Sequence, residues 1–174
     1  MEPARSIPML FLGIARVALA IGVIVLSGLG VDRLLQVPIF MSPPWNLSGL
    51  IPLLLGLYLE SSGTYAFWKF GLGTPHPRSH PQRLVSRGPY SRSRNPLYLG
   101  RLLLLAGLGL LSGSVGILFL TIIVLGWLQL VLIPQEEKRL EARLGPEYLE
   151  YRRHVARWFG FRFGDESNSR KREL

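Results

Sequence analysis

The chain has 174 residues, a net charge of +9 and no cysteine, which allows one domain and excludes disulfides, thiolate metal sites and a cysteine nucleophile. Hydrophobic residues make up 48% of it, a fraction that a soluble protein could share. What decides is their distribution in long blocks with basic residues at the edges, a pattern that fits a membrane surface and argues against nucleic acid as the partner of the positive charge.

A spanning helix needs about 20 mostly apolar residues, and four blocks qualify as candidates. The first runs from about Pro8 to Val31 and lacks the small-residue cleavage site of a signal peptide. The segment from Asp32 to Trp45 carries one Arg and one Asp. The second block, from about Leu47 to Phe67, contains Glu60, followed by Ser61, Ser62, Thr64 and Tyr65. An intramembrane carboxylate is a functional candidate, although a position near a helix end also lets it snorkel to water. From Gly71 to Pro89 the chain is rich in Pro and Gly, as long functional or disordered loops are. The third block, from about Leu97 to Leu111, is short enough to imply tilt or local thinning of the bilayer. Ser112-Gly113-Ser114 makes a tight turn into the fourth, from Val115 to Ile133.

The connection between the second and third blocks carries Lys69, Arg78, Arg83, Arg87, Arg92 and Arg94 without an acidic residue, and the tail after Pro134 is also basic. Positive charge marks the cytosolic side, so both termini and the stretch from Lys69 to Arg94 are expected there. The final Lys-Arg-Glu-Leu resembles a lumenal retrieval signal, which a cytosolic tail could not present. The expected fold is an all-α membrane protein with about four transmembrane helices, a C-terminal helical hairpin and a cytosolic amphipathic helix. Residues 1–70 form the N-terminal transmembrane pair, 71–163 the catalytic-type region and 164–174 a disordered tail.

Three stretches could carry chemistry. In Gly88-Pro89-Tyr90-Ser91-Arg92-Ser93-Arg94-Asn95-Pro96-Leu97-Tyr98-Leu99-Gly100, Asn95 is a good N-cap and Pro96 a good first helical residue. A helix starting there turns unpaired N–H groups and a positive dipole end toward the cytosol, with Arg94 beside it and Tyr98 on the first turn, ready for a carboxylate or phosphate. Arg101 would share a face with Arg94 if the helix extended back that far, or would snorkel. Glu136 and Glu137 follow Pro134 at the end of the fourth block, and in a helix they diverge by about 100°. One could face a pocket while the other faces water or a basic neighbour. From Glu147 to Phe159, Tyr148, Tyr151, Val155 and Trp158 recur at helical spacing, which reads as an interfacial helix on anionic headgroups that could also wall a pocket. His76, His80 and His154 are scattered without acidic neighbours, so no metal site is expected. Gly107, Gly109 and Gly113 read as helix-packing glycines.

The order of Gly73-Thr74-Pro75, Leu84-Val85, Gly88-Pro89-Tyr90, Arg94-Asn95-Pro96-Leu97-Tyr98-Leu99-Gly100, Glu136-Glu137 and Gly145-Pro146-Glu147-Tyr148-Leu149-Glu150-Tyr151 resembles the isoprenylcysteine carboxyl methyltransferase family and its phospholipid methyltransferase relatives. The resemblance covers about Gly71 to Phe159. It implies S-adenosylmethionine-dependent methyl transfer to a lipophilic, membrane-embedded acceptor, at a cytosol-facing cofactor pocket. Carried over by position, Arg94, Asn95, Tyr98, Glu136 and Glu137 bind the cofactor, with Tyr90, Tyr148 and Tyr151 as further candidates. Arg94 and the helix start would take its methionine carboxylate, and Glu136 or Glu137 its ribose hydroxyls or ammonium. Two positions depart from the family pattern: Asn95 stands where the prenyl-protein enzymes have His, which puts a prenylcysteine acceptor in doubt, and Ala156 interrupts a Val-Pro-Arg. An amine acceptor would need a base, for which Glu60 is the intramembrane candidate. Two rival readings are an NADPH-dependent reductase of the sterol type, which has a similar terminal hairpin, and a non-catalytic lipid-binding adaptor.

Overall fold

The structure, a computed structural model, describes residues 7–70 and 84–160. Six α-helices occur among them: α1 (Ile7–Leu34), α2 (Leu50–Phe70), α3 (Pro96–Ser112), α4 (Val115–Trp127), α5 (Ile133–Leu144) and α6 (Pro146–His154). Short 3-10 turns at Trp45–Gly49 and Gly88–Ser91 lead into α2 and precede α3. The segments Phe11–Leu34 and Val115–Leu144 are long and apolar enough to cross a membrane, while α3 is apolar but shorter. Only 6% of the most apolar window of the first segment is buried inside the protein. A helix that is apolar all round and uncovered by its own chain needs an apolar solvent.

Two tight glycine contacts hold the helices together. Along α2 and the turn before it, Gly49 and Gly56 lie against Gly107 and Gly100 of α3: a Cβ on Gly56 would sit 2.7 Å from the carbonyl oxygen of Gly100, and one on Gly107 would sit 2.7 Å from the backbone nitrogen of Leu53. Without side chains the two backbones approach directly, as small residues permit in apolar surroundings. The packing reading of Gly107 therefore holds, and Gly109 packs toward Ile117 and Leu118 of α4. Between α1 and α4 the contact is Gly28 against Gly116, where a Cβ on Gly116 would meet the Gly28 carbonyl.

Gly113 acts differently. At φ 61° it ends α3 in the left-handed conformation, its N–H reaching back to Gly109 and Leu110. Ser114 then caps α4 by accepting from the Ile117 amide at 3.1 Å. Asp32 of α1 takes the Ser114 hydroxyl and, at 2.8 Å, the Gly116 amide. The Asn46 side-chain amide donates to the Leu111 carbonyl at 2.9 Å.

The fourth apolar block does not stop at Ile133. α4 passes through a π turn, Leu128–Leu132, into α5, which runs on to Leu144. Pro134 has no N–H to offer the preceding turn and its ring would crowd that turn's carbonyl. The wider π turn immediately before it relieves both problems, so the helix continues where a proline would otherwise end it. The amphipathic segment is shorter than its periodicity implies. α6 ends at His154, and residues 155–160 run back along the start of α3. Trp158 thus leaves the helical wheel and packs on a core of Leu102, Leu128 and Ile133, donating to Gln129 at 2.8 Å. The proposed disordered tail, residues 71–83 of the long loop, His76 and His80 lie outside the described residues.

Candidate functional site

The charged side chains that the sequence singles out gather around the N-terminal end of α3. They are positioned by a backbone clip. The Arg94 amide donates to the Ala156 carbonyl at 2.9 Å, and the Gly160 amide to the Arg92 carbonyl at 3.0 Å. Gly145, at φ 54°, makes the turn between α5 and α6 that brings this segment back. Asn95 occupies the N-cap position without capping through its side chain. Its side-chain amide instead donates to the Arg157 carbonyl at 3.0 Å, and its backbone amide is taken by Ser93 Oγ at 3.1 Å. The Tyr151 hydroxyl closes the clip from α6, donating to the Tyr90 carbonyl at 2.7 Å.

Inside the clip lies a buried ionic triad. Glu137 accepts from Arg94 at 2.7 Å and from Arg157 at 2.8 Å, and the Arg94 and Glu137 side chains are only 6% and 9% exposed. One carboxylate between two guanidiniums is the arrangement that compensates desolvation at such depth. Arg94 Nε is buried with no hydrogen-bond partner. Tyr148, 1% exposed, lies against this triad. Burial, and then the Glu137 charge, push its hydroxyl pKa up, against the pull of Arg94. Burial is also the first cause of the raised pKa of Tyr90 and of Tyr151, followed by Tyr151 for the former and Tyr148 for the latter. Burial thus favours the neutral form of all three hydroxyls, of which that of Tyr151 donates within the clip.

A second, more open layer sits one step further along α3. The Tyr98 hydroxyl donates to Glu136 at 2.9 Å, which is the one side-chain hydrogen bond Glu136 makes among the described residues. The Arg101 guanidinium stands 5.5 Å from the centre of the Tyr98 ring and reaches Glu60 of α2 at 3.2 Å. The two adjacent glutamates thus diverge as the helical geometry requires: Glu137 turns into the triad, and Glu136 stays half-buried with one oxygen unclaimed.

Every sequence-derived candidate, Arg94, Asn95, Tyr98, Glu136, Glu137, Tyr90, Tyr148 and Tyr151, falls in this one region, and Glu60 joins it through Arg101. Arg94 and Arg101 do not share a helix face, because α3 starts only at Pro96. Arg157, which is not among the sequence-derived candidates, completes the triad; the signal in the sequence that could have found it is the Val-x-Arg it shares with the family pattern, although Ala156 departs from that pattern. His154 is exposed and lies beside Glu150 at 3.4 Å, away from the triad. Among the described residues no three His, Asp or Glu side chains are grouped to hold a metal ion.

Among protein families, the model described as phospholipid methyltransferase matches residues 45–147, more than half of the chain. Neither curated proteins nor solved structures yield a match.

Proposed function

We infer the activity from a plain premise: the chain belongs to the phospholipid methyltransferase family. It is a membrane protein of methyltransferase type acting on lipid. In our proposal it transfers a methyl group from S-adenosylmethionine to a lipophilic acceptor at the cytosolic face. α1, α2, α3 and the α4–α5 helix form four spans, α3 and α4 being the hairpin, with both termini in the cytosol. The observation that carries this reading is that the family match spans the start of α3 and the glutamate pair, the two stretches that meet at the site. The match favours methyl transfer over the reductase and adaptor readings.

The residues fit such a cofactor. It carries a carboxylate, an ammonium, ribose hydroxyls and a sulfonium, and the site offers a buried unpartnered N–H on Arg94, a helix start, and the unclaimed oxygen of Glu136. Arg94 Nε and the first turn of α3 would hold the carboxylate, and Glu136, oriented by Tyr98, would accept from the ammonium or ribose. Glu137 serves differently: it fixes Arg94 and Arg157 and thereby the clip. When bound, the cofactor supplies an already activated methyl group. What remains for the protein is to align the acceptor and exclude water. The clip of residues 155–160 over the start of α3 is placed to do the latter.

Incubating membranes that contain the protein with methyl-labelled cofactor, and identifying the labelled product, tests the activity. Label appearing in lipid only when the protein is present is the expected result; no protein-dependent label would remove the reading. The topology has its own test in a chain without cysteine: a Cys introduced at Ser79 should react from the cytosolic side alone, and labelling from the other side would overturn the orientation.

A further inference from the structure

The side-chain hydrogen bonds of Arg101 go to Glu60, and neither residue bonds to the clip or to Glu136. The pair lies about 8 Å along α3 from Pro96, at 1.5 Å per residue, on the apolar stretch of the helix. A purely structural pair at such a place should be short and sealed, as Arg94–Glu137 is at 2.7 Å. This one is not. The three contacts from Arg101 to the Glu60 carboxylate measure 3.2–3.4 Å, and the two side chains keep 21% and 22% of their area open. Their surroundings open outward too: Leu57, Tyr58 and Ser61 of α2 are exposed. On the inner side, Arg101 rests on the Tyr98 ring, whose hydroxyl meets Glu136. A loosely bonded pair of opposite charges therefore stands between the outward face of α2 and the carboxylate assigned to the cofactor.

The chemistry of that pair limits what can replace it. A ligand with a single negative charge would take Arg101 and leave Glu60 without a counterion in apolar surroundings, and a single positive charge would do the reverse. A headgroup carrying both signs can substitute for both halves of the contact at once. We propose that Glu60 and Arg101 are the specificity pair for the acceptor headgroup, Glu60 receiving its ammonium and Arg101 its phosphate or carboxylate. This rests on the methyl-acceptor reading of the same site and assigns the pair a binding role.

The test needs no cofactor, so it stays separate from the methyl-transfer assay. The detergent-solubilised full chain is titrated calorimetrically with four short-chain amphiphiles: a phosphoethanolamine lipid, an O-acylated serine, a phosphatidic acid and an alkylammonium. The first two present both signs, with phosphate or carboxylate as the anion, and so separate those two sources. At least one of them should bind about tenfold tighter than either amphiphile that carries charge of one sign only. Glu60→Gln should erase the advantage over phosphatidic acid, and Arg101→Gln the advantage over the alkylammonium. The exchange Glu60→Arg with Arg101→Glu keeps an ion pair between α2 and α3, so it controls for folding. It should still lose the preference for the phosphoethanolamine lipid, whose phosphate is fixed on the chain side of its ammonium. Equal binding of all four amphiphiles by the unmodified protein overturns the proposal, and so does an undiminished preference in the single variants. Lipid preference without methyl transfer would leave this pair standing and remove the activity; methyl transfer without lipid preference would do the opposite.

Discussion

At its C-terminal end α3 closes on Gly113, and the polar side chains there serve mainly the backbone: Asn46 takes up the Leu111 carbonyl, Ser114 caps α4, and Asp32 reaches across from α1 to bind the Ser114 hydroxyl and the Gly116 amide. At its N-terminal end the same helix is surrounded by side-chain charge. Asn95, in the capping position, gives its side chain to Arg157, while Arg94, Tyr98 and Arg101 each meet a carboxylate from another part of the chain. Helix ends in apolar surroundings must satisfy their free backbone groups somehow. The Gly113 end does so through Gly113 and Ser114 themselves and through Asp32 and Asn46, brought in from α1 and the turn before α2. The Pro96 end spends its polar side chains on one another and retains an unpartnered guanidinium nitrogen and a free carboxylate oxygen. Each end keeps one buried orphan atom, Asn46 Oδ1 at the Gly113 end and Arg94 Nε at the Pro96 end, but of the two only the Pro96 end sets it beside an open carboxylate oxygen, and it is the less finished toward a ligand.

The largest effect on stability should come from the sealed part of the Pro96 end. Glu137→Gln removes the one carboxylate that compensates Arg94 and Arg157, and removing one partner of a buried pair costs about 3–5 kcal/mol. Thermal unfolding in detergent measures it, and hydrogen exchange at residues 155–160 should rise most, because those residues are held through Arg157 and Asn95. A variant as stable as the parent would mean that the triad is not what closes the clip.

Next in size is the glycine contact that sets the spacing of α2 and α3 between the two ends. Gly107→Ala puts a methyl against the Leu53 and Gly49 backbone, which cannot yield as a flexible side chain would, and should cost about 1–3 kcal/mol. Gly22→Ala, in α1 with nothing within 4 Å, is the control and should leave stability unchanged or raise it by up to about 1 kcal/mol, since Ala is the better helix former. Equal effects in thermal melts would show that the α2–α3 approach is looser than this contact requires. Smaller again is Asp32→Asn at the Gly113 end. Asn keeps the shape and one acceptor but loses the charge at the start of α4, a cost of about 1 kcal/mol. Its binding of S-adenosylhomocysteine should be unchanged; a shifted affinity would show that the two ends are coupled.

Much of this contrast is legible in the residues. The apolar blocks lie within a few positions of the helices, and Gly113 is where the turn is expected. The Arg94 to Gly100 motif and the Glu136-Glu137 pair carry the site, because their residue types and order are unusual in an apolar chain. Pairings across long sequence separations are not legible. Nothing local says that Arg101 meets Glu60, or that Arg157 rather than water neutralises Glu137. The run of α5 past Pro134 is hidden because the proline is a stop signal by itself, and only the preceding π turn cancels it. Periodicity misleads at Trp158: its spacing continues the α6 wheel, but its partner, Gln129, lies on the π turn. One regularity becomes meaningful only with the helices in view. Gly49, Gly56 and Gly63 recur every seven residues, as do Gly100 and Gly107, and that spacing aligns them on one side of each helix.

The smallest change in stability, and the sharpest division between the two glutamates, should come from Glu136→Gln. Its neighbour is locked by two guanidiniums, whereas Glu136 is held by the Tyr98 hydroxyl alone and is half-buried. Gln fits the same space and can still accept that hydroxyl through its carbonyl oxygen, so folding should change by no more than about 0.5 kcal/mol. What it cannot do is offer a negative charge to a cationic ligand. If Glu136 faces the ammonium or ribose of S-adenosylmethionine, affinity for that ligand should fall by about 1.5–3 kcal/mol, the range for a hydrogen bond to a charged group, or roughly ten- to hundredfold in Kd. Tyr98→Phe should fall in the same direction by less, since it removes the group that orients Glu136 and leaves the charge. Titrating the parent, Glu136→Gln and Glu137→Gln proteins with S-adenosylhomocysteine, beside melts of each, separates the roles: Glu136→Gln is stable and binding-deficient, and Glu137→Gln loses both together. If Glu136→Gln binds like the parent, the unclaimed oxygen faces no cofactor, and the unfinished character of this end has to be explained by the acceptor alone.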